Sequence, residues 1–160
     1  IELNGNLLTL NDLLNQFIER YCDLWKYKPK ETAKGPLEPV KRRGNYHLYS
    51  IREAVANLLT HRDLALREIE THVSIFDDSI EFSNPRRTNG FVPPASKAIR
   101  FGITQRINPQ ISAIFSRREY GANVPQGGLP MILKQSQLFS GERVKLFTTN
   151  DRFRVKIRCA

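Results

Sequence analysis

The sequence predicts an α/β fold, a two-layer sandwich with helices on one face of a mixed β-sheet. Three observations predict it. The segment from Ser50 to Asp63 places Ile51, Ala54, Val55, Leu58 and Leu59 at i, i+3, i+4, i+7 and i+8, a single apolar helical stripe. The final segment, 152–159, alternates strictly, with Arg152, Arg154, Lys156 and Arg158 on one face and Phe153, Val155, Ile157 and Cys159 on the other. That is the period of a half-buried strand. Helical and extended segments interleave along the chain, the order that packs helices against a sheet.

Residues 1–8 read as a strand with a turn. Thr9 to Lys26 follows as an amphipathic helix, with Leu10, Leu13, Leu14, Phe17, Ile18, Tyr21 and Leu24 at helical spacing. Residues 26–43 combine Lys26, Lys28, Lys30, Lys34, Lys41, Arg42 and Arg43 with Pro29, Gly35, Pro36 and Pro39, and read as a basic loop. Ser50 suits the N-cap of the next helix and Glu53 stands three residues on, so the pair predicts a capping box. Ile69–Phe76 and Ser79–Phe82 read as strands joined through Asp77-Asp78. Residues 83–106 lack any period and read as a long loop. Asn108-Pro109 opens a helix to about Arg118, with Asn as N-cap and Pro at the first helical position. A glycine-rich stretch, 120–130, leads to a short helix at Met131–Gln137, and two strands, 142–148 and 152–159, close the chain.

Composition narrows the class. The 160 residues are 40% apolar, enough for one domain with a core of its own. No apolar run approaches the roughly 18 residues that a membrane span needs. Cys22 and Cys159 are too few for a disulfide framework and match no zinc spacing, so they read as reduced thiols of a cytoplasmic protein. The net charge of +9 attracts polyanions. The basic strand therefore has two readings: its charges are met by acidic neighbours on the adjacent strand, or they contact a DNA backbone or a partner domain. His47 and His72 have no companion at ligand spacing.

On a helical wheel Glu53, Asn57, Thr60 and His61 fall together, opposite the apolar stripe. Glu53 and Asn57, four residues apart, can address one object. A carboxylate there can serve as a general base, and an amide oxygen suits Mg²⁺.

The run REAVANLLTHRD (52–63) resembles the signature of the RecG-helicase-related C-terminal domain, a branch of the GHKL ATP-binding superfamily. Further along, SIFDDSIEFSNP (74–85), RINPQISAIF (106–115), QGGLPMI (126–132) and the alternating last strand resemble the same family in the same order, so the likeness covers nearly the whole chain. The resemblance implies a GHKL (Bergerat-like) fold over 1–160, forming the C-terminal part of a longer protein whose N-terminal domain is of the AlbA type. It implies Glu53 as hydrolytic base and Asn57 as the Mg²⁺ ligand. It also implies nucleotide contacts from Asn57, His61, Asn84, Gly127 and Gly128, with ATP and Mg²⁺ as cofactors. Two features depart from the family pattern: Asn84 stands where an Asp is usual, and Arg86 and Arg87 replace two glycines. No P-loop is present, so helicase chemistry is not implied.

The resulting expectation is an ATP-binding domain of a DNA-associated transcriptional regulator or RecG-related protein, with weak Mg²⁺-dependent ATP hydrolysis. The alternative is a degenerate scaffold of the same fold, used for dimerisation or for direct DNA-backbone binding. The expected partners are a nucleotide, DNA (through Arg152, Arg154, Lys156 and Arg158 or an N-terminal domain) and a second copy of the chain.

Overall fold

The computed structural model describes residues 1–25, 44–85, 108–115, 117, 128–149 and 151–160. The expected basic loop 26–43, nearly all of the expected loop 83–106, and the positions Arg86, Arg87 and Gly127 lie outside the described residues. Within them the chain is a mixed α/β protein with four helices, a four-stranded antiparallel sheet and a small parallel sheet. In chain order the elements are α1 (Leu7–Tyr21), β1 (Leu24–Trp25), β2 (Tyr46–His47), α2 (Leu48–Thr60), β3 (His72–Phe76), β4 (Ser79–Pro85), α3 (Pro109–Phe115), α4 (Leu129–Ser140), β5 (Lys145–Thr148) and β6 (Arg152–Arg158). No described helix is long and apolar enough to cross a membrane.

The large sheet has the order β3-β4-β6-β5, with every neighbour antiparallel. Parallel pairing, expected inside one mixed sheet, is confined to β1 with β2, where Leu24 faces Tyr46 and Trp25 faces His47. That pairing depends on Gly44, because a Cβ there would stand 2.8 Å from the Trp25 nitrogen and 2.9 Å from the Asp23 carbonyl oxygen. The Asp23 oxygen instead accepts from the Asn45 and Tyr46 N–H groups at 2.7 and 3.1 Å.

The alternation read in β6 holds. Val155 and Ile157 are buried with Ile80 and Phe82 of β4, and this sheet face meets Ile51, Val55, Leu58 and Leu59 of α2 in one core. Helix α2 is the centre of that core. It contacts α1, α3, α4 and β4, and only Tyr49, Arg52 and Asn57 keep partial exposure along it. A helix enclosed on several sides shows an apolar stripe in its sequence, yet buries its polar side as well.

Several expected boundaries are corrected. Residues 1–8 form no strand: the Asn6 side chain accepts from Leu8 N and Thr9 N at 3.1 and 2.9 Å, so helix α1 begins at Leu7 and brings Leu7 and Leu8 onto the core. The helix stops at Tyr21, not Lys26, because Cys22 turns extended and the chain enters β1. The capping box does not form. Helix α2 starts at Leu48, directly from the paired strand β2, with His47 at the N-cap and no side-chain cap. Ser50 lies inside the first turn, 3.0 Å from His47 Nδ1, and Glu53 is directed elsewhere. Strand β3 starts at His72 because residues 63–69 form turns, and β4 extends to Pro85, opposite Arg152. The helix expected over Met131–Gln137 runs from Leu129 to Ser140 and ends on Gly141 in the left-handed region (φ +80°), a regular glycine termination. Helix α3 ends at Phe115, short of Arg118.

If α2 organises the core, Ile51→Ala, at 0% exposure, lowers stability by about 2–5 kcal/mol. Leu138→Ala, at 70% exposure, changes it by less than about 0.5 kcal/mol. Chemical denaturation of the two variants checks this.

Candidate functional site

Two stretches far apart in sequence meet at the start of α4. Glu53, one turn into α2, is buried, and its Oε1 accepts a hydrogen bond from the backbone N–H of Gly128. Gly128 is the N-cap of α4 and has φ +80°, a conformation that a side chain would strain. A Cβ at this position would come to 3.6 Å from Asn57 Nδ2, so the Asn57 carboxamide lies beside the same glycine. Glu53, Asn57 and Gly128 thus form one constellation.

Its electrostatics are uneven. Glu53 Oε2 is buried and has no hydrogen-bond partner among the described residues. Desolvation by burial pushes the Glu53 carboxyl above the ordinary glutamate range, and the Gly128 N–H draws it partly back. The N-terminal N–H groups of α4 supply positive partial charge there, which favours an anion. A buried carboxylate with one unbonded oxygen is poised to accept a proton or a water hydrogen.

His61 caps the other end of α2, its N–H donating to the Asn57 carbonyl at 3.0 Å. Burial holds its imidazole below the ordinary range. Asn84 lies at this end too, with its amide engaged in the fold: Nδ2 donates to the Leu58 carbonyl at 2.7 Å and Oδ1 accepts from the Thr71 hydroxyl at 3.0 Å. It therefore ties β4 to a carbonyl that the end of the helix leaves without an intrahelical donor. Asn108 does likewise, donating to Thr60 O at 2.9 Å and Arg62 O at 2.8 Å. Sequence reasoning gave Asn108 only a helix-start role and missed this tether; an Asn before a Pro carries no signal for a distant carbonyl.

The structure does not bring Arg152, Arg154, Lys156 and Arg158 to this constellation. They lie on the opposite face of the sheet. Acidic neighbours meet part of their charge: Arg154 pairs with Glu81 at 3.3 Å and Arg158 with Asp78 at 3.9 Å. Arg152 donates to the Glu70 carbonyl and to Ser83 Oγ, and Lys156 sits 5.1 Å from the centre of the Phe76 ring. Comparison with models of protein families, with curated proteins and with solved structures finds no match to this chain.

The Glu53 shift has a sign that can be checked. Between the ordinary value, about 4.5, and the raised one, the folded chain holds a proton that the unfolded chain has released. This contribution to stability is fully present below that window and is lost as pH rises through it. Glu53→Gln removes the titration, so its melting temperature gains on the parent as pH climbs from about 4.5 and the gain levels off above the folded pKa. His61 acts in the other direction: its depressed pKa means stability is lost as pH falls below about 6.5. Thermal melts of parent, Glu53→Gln and His61→Gln across this range test both; a pH-independent difference contradicts the burial of Glu53.

Proposed function

We propose that this chain is a nucleotide-binding domain that takes ATP with Mg²⁺ where α2 meets the start of α4. Its resemblance to the RecG-related branch of the GHKL superfamily supports this reading; on the same resemblance we propose a two-layer, Bergerat-like architecture and a whole-protein role in DNA-associated transcription regulation in the cytoplasm. One observation carries it above the others: Glu53 and Asn57 from one motif and Gly128 from another, 75 residues further on, converge on a single point.

The residues present fit the ligand. The N-terminus of α4, opened by a glycine in the left-handed region, offers backbone donors suited to phosphate oxygens. Among the described residues no group of three or more His, Cys, Asp and Glu could hold a metal. A cation at this point therefore takes its oxygens from Asn57, from the phosphates and from water, a set suited to Mg²⁺, which supplies charge neutralisation to the phosphates when bound. Glu53 is the general base of the reading: its buried, partly unsatisfied carboxylate orients a water and holds the proton taken from it. His61 and Asn84 line the far end of α2, where the nucleoside portion belongs.

A degenerate scaffold of the same fold, acting through dimerisation or DNA contact, is the second reading. Asn84 favours it, because its amide already serves Leu58 and Thr71 where an adenine contact would need it.

Calorimetric titration with ATP, and with a non-hydrolysable analogue, in Mg²⁺ and in EDTA separates the two. The nucleotide reading predicts Mg²⁺-dependent binding that Asn57→Ala weakens about 10- to 100-fold, the loss of one charge-assisted contact. Glu53→Gln retains binding and lowers any hydrolysis about 10²- to 10⁴-fold. Absence of heat and of a thermal shift at millimolar ATP with Mg²⁺ overturns the reading and leaves the scaffold.

A further inference from the structure

Among the described residues, the sheet face that turns away from α2 carries more cations than the carboxylates facing them. Strand register sets its rows. Lys145 of β5 stands directly opposite Lys156 of β6, which faces Glu81 of β4 on its other side. Phe147 stands opposite Arg154, which faces Ser83; Arg152 faces Pro85 and Arg158 faces Ser79. Like charges directly opposed on an antiparallel pair destabilise it, so Lys145 against Lys156 is a local penalty. Among the described residues, Arg154 pairs with Glu81 and Arg158 with Asp78 at 3.9 Å, and the Asp151 carboxylate faces Arg152, so three carboxylates stand against the five cations Lys145, Arg152, Arg154, Lys156 and Arg158.

The surface is also aromatic at its edges. Ser79, Ser83 and Pro85 are buried beneath the long cationic side chains. Phe76 on β3 is 50% exposed and Phe147 on β5 is 37% exposed, at opposite edges of the sheet. Each ring has a cation near its centre, Lys156 Nζ at 5.1 Å and Arg154 Cζ at 5.0 Å.

We propose that this face binds single-stranded nucleic acid, with phosphates along the cations of β6 and β5 and bases stacked on Phe76 and Phe147. The excess of cations complements a phosphate backbone, and opposed lysines lose their mutual penalty when an anion lies between them. Exposed rings beside cations are what unpaired bases stack on. The bases of a duplex are already stacked on one another, so exposed rings at the sheet edges favour unpaired bases over a duplex. The surface is separate from the Glu53–Gly128 constellation, on the other side of the sheet, so the two proposals fail independently.

Fluorescence anisotropy tests it with a labelled single-stranded 12-nucleotide DNA, the RNA of the same sequence and the corresponding DNA duplex. The 160-residue chain binds the single strands at least tenfold more tightly than the duplex, and affinity falls with salt at a log–log slope of about −0.7 per phosphate contacted. Tighter RNA binding assigns a contact to the 2′-hydroxyl; equal binding assigns recognition to phosphate and base alone. The double substitution Lys145→Ala with Lys156→Ala weakens binding at least tenfold and makes the slope shallower by about 1.4. Phe147→Leu weakens binding at least fivefold and leaves the slope unchanged. Should the double variant lose its fold, Lys145→Ala alone, at an exposed edge position, carries the test with a slope shallower by about 0.7. Equal or tighter binding to the duplex, no single-strand binding at about 100 μM, or variants that bind like the parent overturn the proposal.

Discussion

The enclosure of α2 is the constraint on which the rest of the structure depends. A helix surrounded by α1, α3, α4 and β4 cannot leave its terminal carbonyls to water. The fold answers with side chains from other elements. Asn84 reaches Leu58 from the sheet, and Asn108 reaches Thr60 and Arg62 from the start of α3. Each bond contributes about 1 kcal/mol net, while loss of the donor strands a buried carbonyl at a larger penalty. These asparagines therefore position the strand and the helix that carry them, and the C-terminal end of α2 becomes a joint between layers.

The same enclosure creates the candidate site. Glu53 belongs to a helix whose surroundings were built for apolar contact, and one of its oxygens has no partner among the described residues. A fold optimised only for stability would place a neutral or apolar side chain there, since a buried polar atom without a partner costs free energy. The carboxylate is held by the N–H of Gly128, so the geometry of α4's N-cap and the protonation of Glu53 are linked. A ligand taken up at the start of α4, as proposed above, would compete with that bond or add to it.

Legibility in the sequence follows the range of the interactions. The alternation of β6 and the stripe of α2 were readable because a half-buried strand and a packed helix impose their periods on adjacent residues. The boundaries were not. Ser50 and Glu53 satisfy the local pattern of a capping box, yet the pairing of Tyr46–His47 with Leu24–Trp25 runs the chain into the helix two residues earlier and frees Glu53 for Gly128. Asn6 is equally able to serve a turn or a helix cap, and only the packing of Leu7 and Leu8 decides between them. Gly44 gives no local sign of the 2.8 Å approach that requires it. The closeness of Glu53 and Asn57 was legible from their spacing on one helix; their closeness to Gly128 came only from the resemblance, because no periodicity relates residues 75 positions apart.

The two sheet faces complete the physical account. Period-two alternation in β6 buries Val155 and Ile157 and, by the same geometry, gathers Arg152, Arg154, Lys156 and Arg158 into one row. Concentrating like charges works against folding, and Glu81 and Asp78 relieve only part of it. Partly exposed ion pairs of this kind contribute at most about 1 kcal/mol each, and salt screens them further. The sheet is held chiefly by its apolar face and its ladder of backbone bonds, to which the cationic face adds two ion pairs and the Arg152 hydrogen bonds to Glu70 O and Ser83 Oγ. The alternation that closes the core thus also sets the sign of the charge on the opposite face, and a partner drawn there by electrostatics would carry the opposite sign.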